Sequence, residues 1–161
     1  MSDYLSDLFS LNGRTALVTG GSSGIGLGMA TALARAGART VLVARDPGRL
    51  DEAVTAIKAA GGQGVPVEVS TVSADLADRG DLERAAEAAA ARYGEPDILV
   101  NCAGINLRPP LAELTEADWD LTMAVNLTAP FLLGQRFGPA MAARGWGRII
   151  NVTSQQAGRA F

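Results

Sequence analysis

Residues 14–26 read RTALVTGGSSGIG, a β-branched apolar run that passes directly into a loop of glycine and serine. A helical pattern follows from Ile25 to Ala36 and stops at Gly37. Strand, small-residue loop and helix in that order describe the opening of a βαβ unit. Small residues let the backbone turn tightly and bring its N–H groups, with the next helix N-terminus, against a phosphate. The spacing of Gly20, Gly24 and Gly26 is neither G-x-G-x-x-G nor a P-loop, which needs Gly-Lys-Ser/Thr. Taken alone the loop also suits a plain tight turn. Its position between a first strand and an amphipathic helix favours the anion site.

Working outward, RTVLVAR (39–45) predicts strand 2, and a helix over Pro47–Ala60 closes at Gly61 and Gly62. Val65, Val67 and Val69 alternate towards Asp75 as a third strand, running through either Val65–Val69 or Val69–Ala74. Asp81–Tyr93 is an Ala-rich helix, DILVNCAG (97–104) a fourth strand, Thr115–Arg144 one long helix and RIINVTS (148–154) a fifth strand. Strands that are apolar throughout and alternate with helices form a parallel sheet covered on both faces. The predicted class is α/β, a doubly wound Rossmann sheet of order 3-2-1-4-5, with residues 1–161 as one domain.

The 161 residues contain no histidine, which removes His bases, Ser-His-Asp nucleophiles and His metal ligands; no metal site is expected. A single cysteine, Cys102, forbids an internal disulfide. A net charge of −3 leaves no basic footprint for nucleic acid. The start, MSDYLSDLFSL, lacks the basic region of a secretory signal, and no apolar run is long enough for a membrane span. A cytoplasmic location is expected.

Polar and small residues collect where these strands end: Arg45, Asp75, Asn101 to Gly104, and Ser154. In a doubly wound sheet these carboxyl ends share one edge, and ligands bind at the switch point between strands 1 and 4. A dinucleotide across that edge is the natural occupant. An acid ending strand 2 would accept from the ribose 2′-OH of NAD, but Ala44 stands there and Arg45 follows. Arg45 can pair with a 2′-phosphate, which favours NADP over NAD; otherwise it pairs with Asp46 or stacks on adenine.

TGGSSGIG (19–26), Asp75-Leu76, NCAG (101–104), Asn126 of AVNLT (124–128) and INVTS (150–154) together resemble the short-chain dehydrogenase/reductase family. The resemblance implies that Gly20, Ser22, Ser23, Gly24, Ile25 and Gly26 hold pyrophosphate and ribose. It places Asp75 and Leu76 at adenine, and Asn101, Ala103 and Gly104 at the nicotinamide-side ribose and in strand packing. Cys102 replaces a commoner Asn and reads as a small hydrophobe. Pro130 cannot donate to the carbonyl of Asn126, so a bend is expected there. The bend is structural, or the freed carbonyl holds a water in the proton relay that the family implies. Ser154 would orient the substrate oxygen, or simply bond local backbone.

The family's acid/base pair, Y-x-x-x-K, does not occur in residues 1–161: neither Tyr4 nor Tyr93 is followed by Lys four residues later. The expected parent is therefore an NADP-dependent oxidoreductase acting on a ketone or secondary alcohol (sugar acid, polyol or 3-oxoacyl group), homo-oligomeric, of which residues 1–161 are an inactive, C-terminally incomplete part. A non-catalytic NADP-binding or interaction fragment is the alternative. The 5–20 opening and GINLRPPLAEL (104–114) look similar to gluconate-type members, with Arg108 either meeting a carboxylate or solvated. Strand 5, apolar on both faces, is expected to become an edge with Phe131, Leu132 and Phe137 losing cover.

Overall fold

The structure, a computed structural model, describes Tyr4 and residues 8–61 and 67–154. Five strands alternate with helices: β1 (Thr15–Thr19), α1 (Gly24–Arg35), β2 (Arg39–Ala44), α2 (Pro47–Ala60), β3 (Val69–Ser73), α3 (Arg79–Tyr93) and β4 (Ile98–Asn101). A 3-10 turn (Leu111–Glu113), α4 (Glu116–Met123), a π-turn (Ala124–Thr128), α5 (Ala129–Ala143) and β5 (Arg148–Asn151) complete the described residues. The strands form one parallel sheet in the order β3-β2-β1-β4-β5, as the apolar patterning predicts.

Alternate strand positions feed two cores. Ala16, Val18, Leu42, Ile98 and Val100 pack under α1 and α2 with Ala30, Ala34, Leu50 and Ile57. Leu17, Val41, Val43 and Leu99 face α3 and α5 with Leu82, Ala86, Leu133 and Phe137. Period-two side-chain direction in a strand requires this division. Phe137, expected to lose cover, is instead fully buried, because α5 lies against β4 and β5. Burial of such a side chain contributes about 1.5–3 kcal/mol. Leu132 is half-buried against the same core, whereas Phe131 stays exposed.

β3 takes the Val69–Ser73 register, fixed by pairing of Thr40 with Val69 and Ala44 with Ser73; residues 62–66, including Val65, lie outside the described residues. The single helix expected over Thr115–Arg144 is divided by the π-turn, in which the Ala129 N–H donates to the Ala124 carbonyl five residues back. Pro130 follows at once and brings no N–H of its own. The start of α4 is a capping box: the Thr115 hydroxyl accepts from the Asp118 N–H, and the Asp118 carboxylate accepts from the Thr115 N–H.

The lower edge of the sheet is tied by Asp97. One carboxylate oxygen accepts from the Thr15 N–H at 3.0 Å; the other lies 3.6 Å from Arg14 and 3.5 Å from Arg144. Polar anchoring at this end leaves the opposite edge to the loops. β5 pairs with β4 alone among the described residues, and Ile149 and Ile150 are exposed.

Candidate nucleotide-binding site

The carboxyl ends of β1, β2, β3 and β4 open into a cleft of 530 Å³, within the range of small-molecule sites. Gly20, Ser22, Ser23, Gly24, Ile25 and Gly26 form one wall, and Arg45, Asp75 and Leu76 the end towards β2 and β3. Ala103 and Gly104 form the wall towards β4. Eleven of the residues singled out from the sequence thus line one space; the count matters because they come from four separate strand ends. Asn101, Asn126 and Ser154 are outside that lining.

Steric necessity explains the loop. Gly20 has φ +66°, and a Cβ there would sit 2.9 Å from the backbone nitrogen of Ala103. A Cβ on Gly26 would collide with the Gly20 carbonyl. The first turn of α1 therefore presses directly on the end of β1, as close helix–strand packing requires. The Gly20 N–H donates to the Val43 carbonyl at 2.8 Å, so the loop leaves the sheet from a fixed point.

The start of α1 differs from that of its neighbours. Asp46 caps α2, Asp78 caps α3 and Thr115 caps α4, each through its side chain. Ser23, at the same position before α1, makes no side-chain cap bond. The first turn of α1 lines the cleft through Gly24, Ile25 and Gly26 and lacks that acceptor, and a helix end of this kind attracts an anion.

The opposite wall is held by a residue the sequence reading passed over. Thr19 Oγ1 accepts from the N–H groups of both Cys102 and Ala103 at 3.1 Å and donates to the Val100 carbonyl at 3.3 Å. One hydroxyl shapes the turn after β4. Its signal was a threonine at the last position of β1, the strand adjacent to β4. Cys102 lines the cleft, half-buried, and burial pushes its thiol above the ordinary value, so it stays protonated at neutral pH.

Asn101 is buried and turned sideways, donating from Nδ2 to Asn151 Oδ1 at 2.8 Å across the β4–β5 pair. Its own Oδ1 has no partner among the described residues. Asn126 stands in the π-turn, and its side chain spans the backbone of Ile105, a residue of the cleft. Asp75 accepts from the Ala77 N–H at 3.0 Å, and its own N–H donates to Asp81 at 2.6 Å. Ser154 lies exposed just beyond β5, two residues past Val152, which lines the cleft. Arg108 is exposed and outside the cleft. Asp46 and Arg49 also line it, and neither was singled out as a ligand residue.

Among the described residues no helix is long and apolar enough to cross a membrane, and no group of three or more acidic, Cys or His side chains could hold a metal. The fold is a doubly wound α/β sheet of Rossmann type, with the cleft at the carboxyl ends of its strands. The short chain dehydrogenase family model matches residues 14–161, and the chain belongs to that family. Gluconate 5-dehydrogenase of Gluconobacter oxydans is 42% identical over 151 residues, covering 94% of this chain and 57% of that protein. The chain thus spans somewhat over half the length of such relatives.

Two solved structures extend the likeness. A 3-oxoacyl (acyl-carrier-protein) reductase from Agrobacterium tumefaciens with NADP bound superposes with TM-score 0.86 at 36% identity, over 97% of this chain and 58% of that one. A gluconate 5-dehydrogenase from Burkholderia cenocepacia in complex with NADP and tartrate gives 0.83 at 37% identity, over 98% and 60%.

Proposed function

We propose that this chain is the nucleotide-binding part of an NADP-dependent oxidoreductase, one that moves a hydride between nicotinamide and a ketone or secondary alcohol. The observation that carries this is the combination, at one cleft, of an α1 start without a side-chain cap and Arg45 where β2 could have ended in an acid. The glycine cradle fits the group: at Gly20 and Gly26 there is room for backbone but not for a side chain. NADP would supply the hydride acceptor or donor.

In this reading the residues 20–26 loop and the α1 N–H groups hold pyrophosphate, and Arg45 neutralises the 2′-phosphate. Asp75 and Leu76 flank adenine, while Ala103 and Gly104 leave space for the nicotinamide-side ribose. Asn101 holds β4 to β5 beside them. Asn126 fixes the Ile105 backbone and its carbonyl serves a water relay; Ser154 donates to the substrate oxygen. The substrate class is a sugar acid or polyol, favoured by the gluconate 5-dehydrogenase relatives; a 3-oxoacyl thioester is the competitor favoured by the reductase neighbour. A homo-oligomeric, cytoplasmic parent completes the proposal.

Calorimetric titration with NADPH and NADH tests the cofactor assignment. Arg45→Ala should weaken NADPH by about 1.5–3 kcal/mol, the size of a lost charged hydrogen bond, and leave NADH nearly unchanged. Equal weakening of both would mean that Arg45 stacks on adenine. The competing reading is a domain that binds NADP without turnover. Following NADPH oxidation with keto-acid sugars, ketoses and 3-oxoacyl thioesters separates the two.

A further inference from the structure

Arg49 occupies the third position of α2, where two other helices of the chain carry an acid. At that position α3 carries Asp81 and α4 carries Asp118, each an acid near the positive end of its helix. The first turn of α2 carries no acid, and a guanidinium stands there instead. A cation beside a helix N-terminus is locally unfavourable. Departures from local preference of this kind concentrate where a ligand supplies the compensation. Here the departure falls inside the cleft: Arg49 lines it together with Arg45 and Ser22.

Asp46 is the group that argues against an anion, since its carboxylate lines the same corner. Its Oδ1 accepts from the Arg49 N–H at 3.1 Å, and its Oδ2 lies 3.9 Å from Arg49 Nε. The carboxylate is thus turned towards α2 and partly neutralised by the residue it caps. Both side chains of the pair are mostly exposed, at 67% and 60%, and an ion pair so placed is weak. The guanidinium can leave it for a doubly charged group at little cost.

We propose that Arg49 is a second specificity-determining cation: with Arg45 it clamps the 2′-phosphate of the dinucleotide and makes preference for NADP depend on α2 as well as on the end of β2. The inference rests on the NADP reading above, and its test separates the two. Adenosine 2′,5′-bisphosphate and adenosine 5′-monophosphate are titrated into the wild-type protein, Arg49→Gln and Arg49→Glu, with thermal melts of each without ligand.

The expected result is that wild type prefers the bisphosphate and that Arg49→Gln weakens it about tenfold while leaving the monophosphate within about twofold. Arg49→Glu should abolish the preference yet melt no lower than wild type, because it restores an acid to the first turn of α2. Wild type binding both probes equally would overturn the NADP reading itself. Preference in wild type that Arg49→Gln leaves intact, or equal weakening of both probes, would overturn the role of Arg49 alone. Arg49→Glu melting well below wild type would make Arg49 a structural residue.

Discussion

Asn126 closes both ends of its side-chain amide on one residue. Its Oδ1 accepts from the Ile105 N–H at 2.9 Å, and its Nδ2 donates to the Ile105 carbonyl at 2.8 Å. The loop after β4 is thereby tied to the π-turn, and the cleft wall formed by Gly104 and Ile105 depends on a side chain more than twenty residues away. Whatever proton path uses this region, the amide itself is committed to positioning.

Asn126→Leu leaves both Ile105 groups to water. A cost of about 1 kcal/mol is expected, because the loop is exposed and solvent replaces part of what is lost. Asn126→Asp should be worse at neutral pH, since a carboxylate oxygen would face the Ile105 carbonyl. The damage should recede below about pH 4, where the protonated acid donates again. Hydrogen exchange at Ile105 reads both effects; protection independent of pH in Asn126→Asp would contradict the clamp.

Thr19 predicts a sharper contrast. Thr19→Ser keeps the hydroxyl and should be nearly neutral, whereas Thr19→Val leaves the Cys102 and Ala103 N–H groups without their acceptor. A loss of about 1–3 kcal/mol in urea unfolding is expected for Thr19→Val. Equal stability of the two variants would show that the turn after β4 needs no hydroxyl.

Cys102 should alkylate slowly. Burial raises its thiol, so less thiolate is present at pH 8 than in a free cysteine, and the thiolate is the nucleophile. Because the residue lines the cleft, added NADPH should slow iodoacetamide further. A rate equal to that of free cysteine and indifferent to NADPH would place the thiol outside the cofactor's footprint.

Asp118 gives a pH dependence. Its hydrogen bonds with the Thr115 hydroxyl and N–H hold the carboxyl below its ordinary value. A depressed folded value means the contribution to α4 is present above the ordinary carboxylate range and lost as pH falls through the folded value. Exchange protection over Glu116–Met123 should therefore fall in acid. Asp118→Asn should flatten that fall, and an unchanged profile would remove the capping box as its cause.

What the sequence made legible follows the range of the physics involved. The residues 20–26 loop was readable because part of its requirement is local: Gly20 and Gly24 take positive φ, and a Cβ on Gly26 would meet the Gly20 carbonyl. Strand order was readable because apolar runs alternating with helices admit few sheets. The register of β3 was open, since Val65, Val67 and Val69 offer one strand and Val69–Ala74 another; pairing with β2 decides, and β2 is distant in the chain. Asn101 binding Asn151, Thr19 holding Cys102 and Asn126 holding Ile105 are contacts across 21 to 83 positions, with no local signature. Arg49 was readable in principle, as an arginine where α3 and α4 carry aspartate.

The π-turn over Ala124–Thr128 amounts to one surplus residue wound into an otherwise continuous helix. Each α-helical residue advances by about 100° and 1.5 Å, so α5 runs about 100° out of phase with a pattern extrapolated from α4. Leu133, Phe137 and Met141 meet the sheet because of that offset. Deleting Ala124, Leu127 or Thr128 would leave every α-helix and strand at full length and would spare Val125, the buried side chain of the turn. It would turn the whole of α5 about its own axis, swinging its buried face off β4 and carrying Asn126 away from Ile105. A change of one codon would thus unpair the core and the cleft wall together.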